Sequence, residues 1–218
     1  PSDDAVVQAI RELRARGYRV TFYPFVLMDV AADNELPDPY SDGAASTGQP
    51  TYPWRGRITC SPAAGYAGSP DKTAAAGSQV AAFFGSAQPS DFDVDDERVE
   101  WDGDPDDWGL RRMILHYAHL CAAAGGVDAF LIGTEMPGLT TIRSGASTYP
   151  AVQAYRDLAP EILRILKPGG VFAVEIGWDQ GPAVKALFDE AGLREAGVVS
   201  GIATDVGGGT SYSMLQTL

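Results

Sequence analysis

Gly125-Gly-Val-Asp-Ala-Phe-Leu-Ile-Gly-Thr-Glu135 is the stretch on which the fold turns. Two glycines stop whatever helix precedes it, Val127 to Gly133 makes a short buried strand, and a carboxylate follows the strand's C-terminal end. Upstream, Trp108 to Ala124 has helical periodicity with Asp104 or Asp106 as its cap, and downstream Tyr149 to Leu166 has it again. Lys167-Pro168-Gly169-Gly170 then turns into a strand, Val171 to Ile176, a helix from Pro182 to Ala191 and a strand near Val198. Apolar strands alternating with helices indicate βα units around a parallel sheet, so a barrel or a doubly wound fold.

Working toward the N-terminus, Phe92 to Trp101 alternates apolar and acidic residues around Asp95-Asp96-Glu97 and predicts an inserted β-hairpin. Ser69-Pro70 opens a helix that runs to Phe84 and Gly85. Asp33 to Pro70 is a Pro/Gly/Asp-rich loop, long enough to suggest a functional role. Tyr18 to Met28 reads as a buried strand despite Pro24. Asp3 or Asp4 caps a first helix, with Ala5, Ile10 and Leu13 on its apolar side and Gly17 as its stop. Gly207 to Leu218 gives no pattern. The resulting fold class is α/β, βα units of a barrel or a doubly wound sheet carrying the hairpin.

Composition narrows the functions. The 218 residues carry 16 Lys and Arg against 29 Asp and Glu, a net charge of −13. Such a chain is repelled by nucleic-acid phosphates and anionic lipid, and no basic patch offsets this, so nucleic acid is excluded as a partner. No apolar run reaches the roughly 20 residues that span a bilayer, so membrane insertion is not expected. Pro1-Ser2-Asp3-Asp4 has no signal-peptide pattern and no initiator Met, and the expectation is an N-terminus further upstream. Cys60 and Cys121 are expected as reduced, partly buried thiols.

Candidate chemistry centres on Glu135. The C-terminal edge of a parallel sheet is where loops and helix N-termini converge, and a glycosidase needs one carboxyl group as general acid. Glu135 suits that role, or else caps a turn. A second carboxylate is required about 5 to 10 Å away, and Asp29, Glu175 and Asp179 are the candidates. In the long loop, Tyr52-Pro-Trp54-Arg55-Gly-Arg57 offers rings for sugar faces and guanidinium donors for hydroxyls or carboxylates; alternatively Trp54 pins the loop. Asp91-x-Asp93-x-Asp95-Asp96 lacks the Gly and final Glu of a calcium loop. His116 and His119 lack the remaining groups of a zinc site. No metal and no cofactor is expected, and no Gly-x-Ser-x-Gly elbow, Walker loop or dinucleotide fingerprint occurs.

The motifs Tyr18-Arg-Val-Thr-Phe-Tyr-Pro-Phe-Val-Leu-Met-Asp29, Tyr52-Pro-Trp-Arg-Gly-Arg-Ile-Thr-Cys60, Gly68-Ser-Pro-Asp-Lys-Thr-Ala74, Asp107 to His119, Gly125 to Glu135 and Gly138 to Arg143 together carry a resemblance. Over residues 6–152 the chain resembles the glycoside-hydrolase TIM-barrel-like domain of tail hub proteins in gene transfer agents and phages. The resemblance implies a partial TIM-barrel-like arrangement of these βα units with the inserted β-hairpin, in a component of the particle tail made in the bacterial cytoplasm. Its implied partners are cell-envelope glycan and other tail proteins, with Glu135 catalytic and Asp29, Trp54, Arg55 and Arg57 binding substrate. A non-catalytic structural tail component is the alternative. The family's barrel needs further strands before Ala5 and after Gly201, and the second carboxylate is expected among them.

Residues 154–199, with Ala154-Tyr-Arg-Asp-Leu-Ala-Pro-Glu-Ile-Leu163 and Leu166-Lys-Pro-Gly-Gly-Val-Phe-Ala-Val-Glu-Ile-Gly-Trp-Asp-Gln-Gly181, instead resemble the C-terminal part of release-factor glutamine methyltransferases. That family's S-adenosylmethionine loop and Asn-Pro-Pro-Tyr motif are missing here, so no catalytic residue carries over. The chain reads as a hybrid, 1–152 and 153–218, whose second part can complete the same sheet. A methyltransferase fragment without its cofactor site is the third functional reading.

Overall fold

The computed structural model describes residues 2–41, 48–95, 98–133 and 135–166, and the backbone of three short strands beyond them. In chain order the elements are α1 (Asp3–Ala15), β1 (Thr21–Phe22), a 3-10 turn (Arg55–Arg57), α2 (Ala74–Phe84), a 3-10 turn (Pro89–Asp91), β2 (Phe92–Asp95) and β3 (Arg98–Trp101). Then come α3 (Leu110–Ala123), β4 (Ala129–Leu131), α4 (Pro137–Thr140), α5 (Pro150–Leu166), β5 (Val171–Ala173), β6 (Thr204–Val206) and β7 (Thr210–Tyr212). The chain divides into two compact units. The first comprises Pro1–Pro24, Phe84–Thr134 and Tyr155–Leu218; the second comprises Phe25–Phe83 and Glu135–Ala154.

The first unit is built on a parallel sheet of order β1-β4-β5, with Thr21 opposite Ala129, and Ala129 opposite Val171. Strand order follows chain order, an arrangement shared by neighbouring strands of a barrel and by one half of a doubly wound sheet. Among the described residues this sheet has three strands and does not close. The pairing of β4 with β5 places a strand from beyond residue 152 beside one from before it, in one sheet.

Apolar burial holds this unit. Leu110, Ile114, Leu115, Ala118 and Cys121 recur at helical spacing along α3 and are all buried, each large side chain contributing about 1.5–3 kcal/mol. Phe130 in β4 is fully buried and stacks on Phe22 at 5.7 Å. On α5, Leu158 and Ile162 are fully buried. Arg11 and Arg14 of α1 donate to the Ala123 and Gly126 carbonyls at 3.2 and 3.0 Å, satisfying acceptors that the end of α3 leaves open. Between α3 and α5, Arg111 donates to Glu161 at 2.7 Å.

Several expectations shift by a residue or more. Ser2, not Asp3 or Asp4, caps α1, and Val7 and Ile10 form its buried face while Ala5 and Leu13 are exposed. Only Thr21–Phe22 of the expected 18–28 strand pairs, because Pro24 has no N–H to give the ladder; Tyr18, Phe25 and Leu27 are exposed. The α2 helix starts at Ala74 and not at Pro70, since the backbone first turns through Lys72 at φ 68°. Gly109, and neither Asp104 nor Asp106, caps α3. The residue that anchors this corner is Asp107, which accepts from the Ser86 N–H at 2.7 Å, the Ser86 hydroxyl at 2.8 Å and the Gly109 N–H at 2.9 Å. Burial alone would raise the Asp107 carboxyl; these bonds and one from the Ala87 N–H hold it below the ordinary range.

The hairpin forms as expected, Phe92 opposite Trp101 and Asp95 opposite Arg98. Gly125 and Gly126, at φ 97° and 95°, end α3 as read. The antiparallel pair β6–β7 has no counterpart in the sequence reading. The helix over 182–191 and the strand near Val198 lie outside the described residues, as do Glu175 and Asp179. Among the described residues no helix is long and apolar enough to cross a membrane.

Candidate functional site

The second unit has little regular structure, and its long loop is shaped by close backbone approach. Gly138 in α4 lies so near the 3-10 turn that an added Cβ would fall 2.6 Å from the Gly56 carbonyl oxygen and 2.7 Å from that of Ile58. A second glycine performs the same service for an aromatic ring. A Cβ on Gly56 would sit 2.4–2.5 Å from three atoms of the Trp54 indole, so the ring's six-membered half lies directly on the Gly56 backbone. The segment that brings α4 here is tied at its far end. Arg143 donates to Asp71 through its backbone N–H at 2.9 Å and its guanidinium at 2.6 Å, and the Lys72 N–H donates to the Arg143 carbonyl at 2.7 Å. Burial pushes the Asp71 carboxyl up, and the two bonds and the charge of Arg143 outweigh it, leaving the group below its ordinary value.

These contacts put Glu135 beside the loop motif. Trp54 Nε1–H donates to Glu135 Oε2 at 3.0 Å across 81 residues of sequence, and Arg55 Nη2 meets the same oxygen at 2.7 Å. Glu135 and Tyr52 both occupy the left-handed region, at φ 50° each. For residues with a Cβ that conformation costs about 1–3 kcal/mol and persists only where the surroundings enforce it. The Arg55 guanidinium also lies over the Phe25 ring at 4.4 Å. Trp54, with 54% of its surface exposed, keeps a large part of the indole open to solvent.

Arg57 points into a neighbouring arrangement of the same kind. Its Nη2 reaches both oxygens of Asp38 at 3.2 and 3.4 Å, and its guanidinium lies over Tyr40 at 4.4 Å. Thus three of the five residues singled out from sequence, Trp54, Arg55 and Glu135, are joined directly, and Arg57 is paired beside them. Asp29 stands apart, exposed in the coil that replaces the expected strand, with no bond to Glu135 among the described residues. Phe25, Asp38, Gly56 and Gly138 were not picked out from sequence. The only local hint was a glycine adjacent to Trp-Arg in the loop motif; the remaining contacts span too much sequence to be read.

The other candidates have structural roles. His116 Nε2 lies 3.0 Å from Asp3 Oδ1, and His119 packs 5.3 Å from the Phe92 ring. Burial lowers the His119 pKa, against a bond involving Pro89, with the charge of His116 adding to the lowering. Cys60 and Cys121 are free and buried, and burial pushes the Cys121 thiol up to about 12. Among the described residues no group of three His, Cys, Asp or Glu converges as a metal site.

Comparison with known proteins divides along the chain. Residues 108–185 match the family model of the GTA TIM-barrel-like domain. That span runs from Trp108 through α3, β4, α4, α5 and β5, so it includes Glu135 and excludes Trp54 and Arg55. It also crosses residue 152, where the sequence motifs change character. A stretch of 51 residues, 23% of this chain, is 65% identical to the release factor glutamine methyltransferase of Caulobacter vibrioides. It accounts for 18% of that protein, so the chain spans less than a fifth of the length of this curated relative. No solved structure matches.

Proposed function

We propose that this chain is a TIM-barrel-like component of a phage or gene-transfer-agent tail that binds cell-envelope glycan through Trp54, Arg55 and Glu135. The observation that carries the reading is the meeting of Trp54 Nε1 and Arg55 Nη2 on one oxygen of Glu135. An exposed indole offers an apolar face to a sugar ring, and a carboxylate beside it accepts sugar hydroxyls. Binding is better supported than cleavage. Either glycosidase geometry needs a proton-bearing acid and a second carboxylate about 5 to 10 Å away. Here Glu135 Oε2 already accepts from two donors, and Asp38 is engaged by Arg57.

The test is calorimetric titration of solubilised envelope glycan, alongside an assay for new reducing ends. Trp54→Ala and Glu135→Gln should each weaken binding by about tenfold or more, the loss of a well-placed stacking or charged contact, with no release of reducing ends. Turnover abolished by Glu135→Gln would establish hydrolysis in place of binding. A wild type that binds no glycan would leave the structural tail role, with other tail proteins as partners. The methyltransferase-fragment reading is supported by the 51-residue match alone; a working methyltransferase would require saturable binding of S-adenosylmethionine, measurable in the same calorimeter, whereas a fragment without the cofactor site predicts none.

A further inference from the structure

Resting on that reading, we infer that the Trp54 surface selects uncharged sugars and discriminates against anionic glycans. The sequence offers Arg55 and Arg57 as donors to ligand carboxylates, but the structure uses both internally. Arg55 is paired with Glu135 at 2.7 Å and Arg57 with Asp38 at 3.2 Å, so two positive and two negative charges leave the cluster neutral. Each guanidinium is held on its face as well, over Phe25 and Tyr40 respectively, both at 4.4 Å. A sugar carboxylate or phosphate approaching either arginine meets the carboxylate already paired with it, Glu135 or Asp38, within a few ångströms. That carboxylate repels the ligand, and the net charge of −13 adds to this at long range.

What remains for recognition is uncharged chemistry. The indole of Trp54 is fixed from below by the Gly56 backbone and at its edge by Glu135, in a residue that stays exposed. A rigid aromatic platform loses little conformational entropy when a pyranose stacks on it. The rim carboxylate accepts hydroxyls and offers nothing to an anion. Gly56 is accordingly a positioning residue: a methyl group there occupies the place of the ring.

The experiment titrates the full chain with N-acetylated chitotetraose as the neutral probe and tetragalacturonate as the anionic one, at about 50 and 500 mM NaCl. The neutral probe should bind about tenfold or more tightly than the anion, with a dissociation constant that changes less than about twofold with salt. Glu135→Gln, which releases Arg55, should weaken the neutral probe and strengthen the anion. Gly56→Ala should lose the neutral probe together with a shift in tryptophan emission, while its far-ultraviolet circular dichroism stays that of the wild type. Tighter binding of tetragalacturonate, or weakening of both probes by Glu135→Gln, overturns the selectivity and leaves glycan binding intact. Failure of both probes to bind overturns glycan binding itself, and the selectivity with it.

Discussion

The two units of this chain are stabilised by different physics. In the first, the sheet β1-β4-β5 and helices α3 and α5 bury aliphatic and aromatic side chains, and the stabilising quantity is area removed from water. In the second, a long loop with few regular elements is held by glycine-permitted backbone contacts and by Arg–carboxylate pairs. Burial is non-directional and tolerates exchange of one apolar group for another of similar size. Charge-assisted bonds and close approaches that leave no room for a Cβ tolerate almost no exchange, because geometry and not area sets their worth. Precise placement of Trp54, Arg55 and Glu135 comes from the second kind of interaction.

The largest expected effect tests the first half of that contrast. Phe130→Ala removes a fully buried ring from β4 and should cost about 3–5 kcal/mol, read as a lowered midpoint in urea unfolding. A loss below about 1 kcal/mol would mean the sheet is not what holds this unit. Next, Arg143→Ala removes the guanidinium bond to Asp71 and leaves the one from the backbone N–H of residue 143; stability should fall, by less than for Phe130→Ala. Hydrogen exchange should speed up in Glu135–Ala154 and around Lys72. Equal acceleration throughout the β1-β4-β5 sheet would contradict a separate basis of stability for the second unit.

Acid titration sharpens the comparison further, because each unit carries a perturbed group in a different pH range. His119 has its pKa lowered by burial from an ordinary 6.5. The unfolded chain therefore binds the proton first, and stability in the first unit falls as pH drops from about 6.5 toward the lower folded value. Asp71 is lowered from an ordinary 3.8. Its contribution is complete above that value and is lost only as pH falls through the depressed one. Hydrogen exchange followed from neutral to acid pH should thus show the first unit loosening before the second, and His119→Phe should abolish the early phase. The reverse order would refute the assignment. The smallest effect belongs to an exposed pair: Glu12→Gln breaks a contact to Arg16 whose side chains are 59% and 70% exposed, and should change stability by less than about 0.5 kcal/mol.

Legibility from sequence follows the same division. Helices α3 and α5 were readable because their apolar residues recur at helical spacing, and the stop of α3 because Gly125 and Gly126 can adopt positive φ. The hairpin was readable from its alternation. Tyr18 to Met28 misled, since aromatic and β-branched residues suit a strand while Pro24 interrupts the ladder. The caps of α1 and α3 misled because several neighbouring Ser, Asp and Gly residues could each serve, and packing chose among them. In the site, Glu135, Trp54, Arg55 and Arg57 were visible as residue types; their pairing was not, nor were the roles of Gly56, Gly138 and Asp38.

The sequence by itself determined the α/β character, the positions of the apolar helices, the acidity of the chain and the short inventory of candidate site groups. Those properties depend on local periodicity and composition, which need no partner. Only the tertiary structure decided that β5 pairs with β4, that Trp54 reaches Glu135 across 81 residues, and that Arg55 and Arg57 are each paired with a carboxylate. Such contacts depend on which distant backbones can approach closely, and at this site two glycines without a Cβ settle that approach.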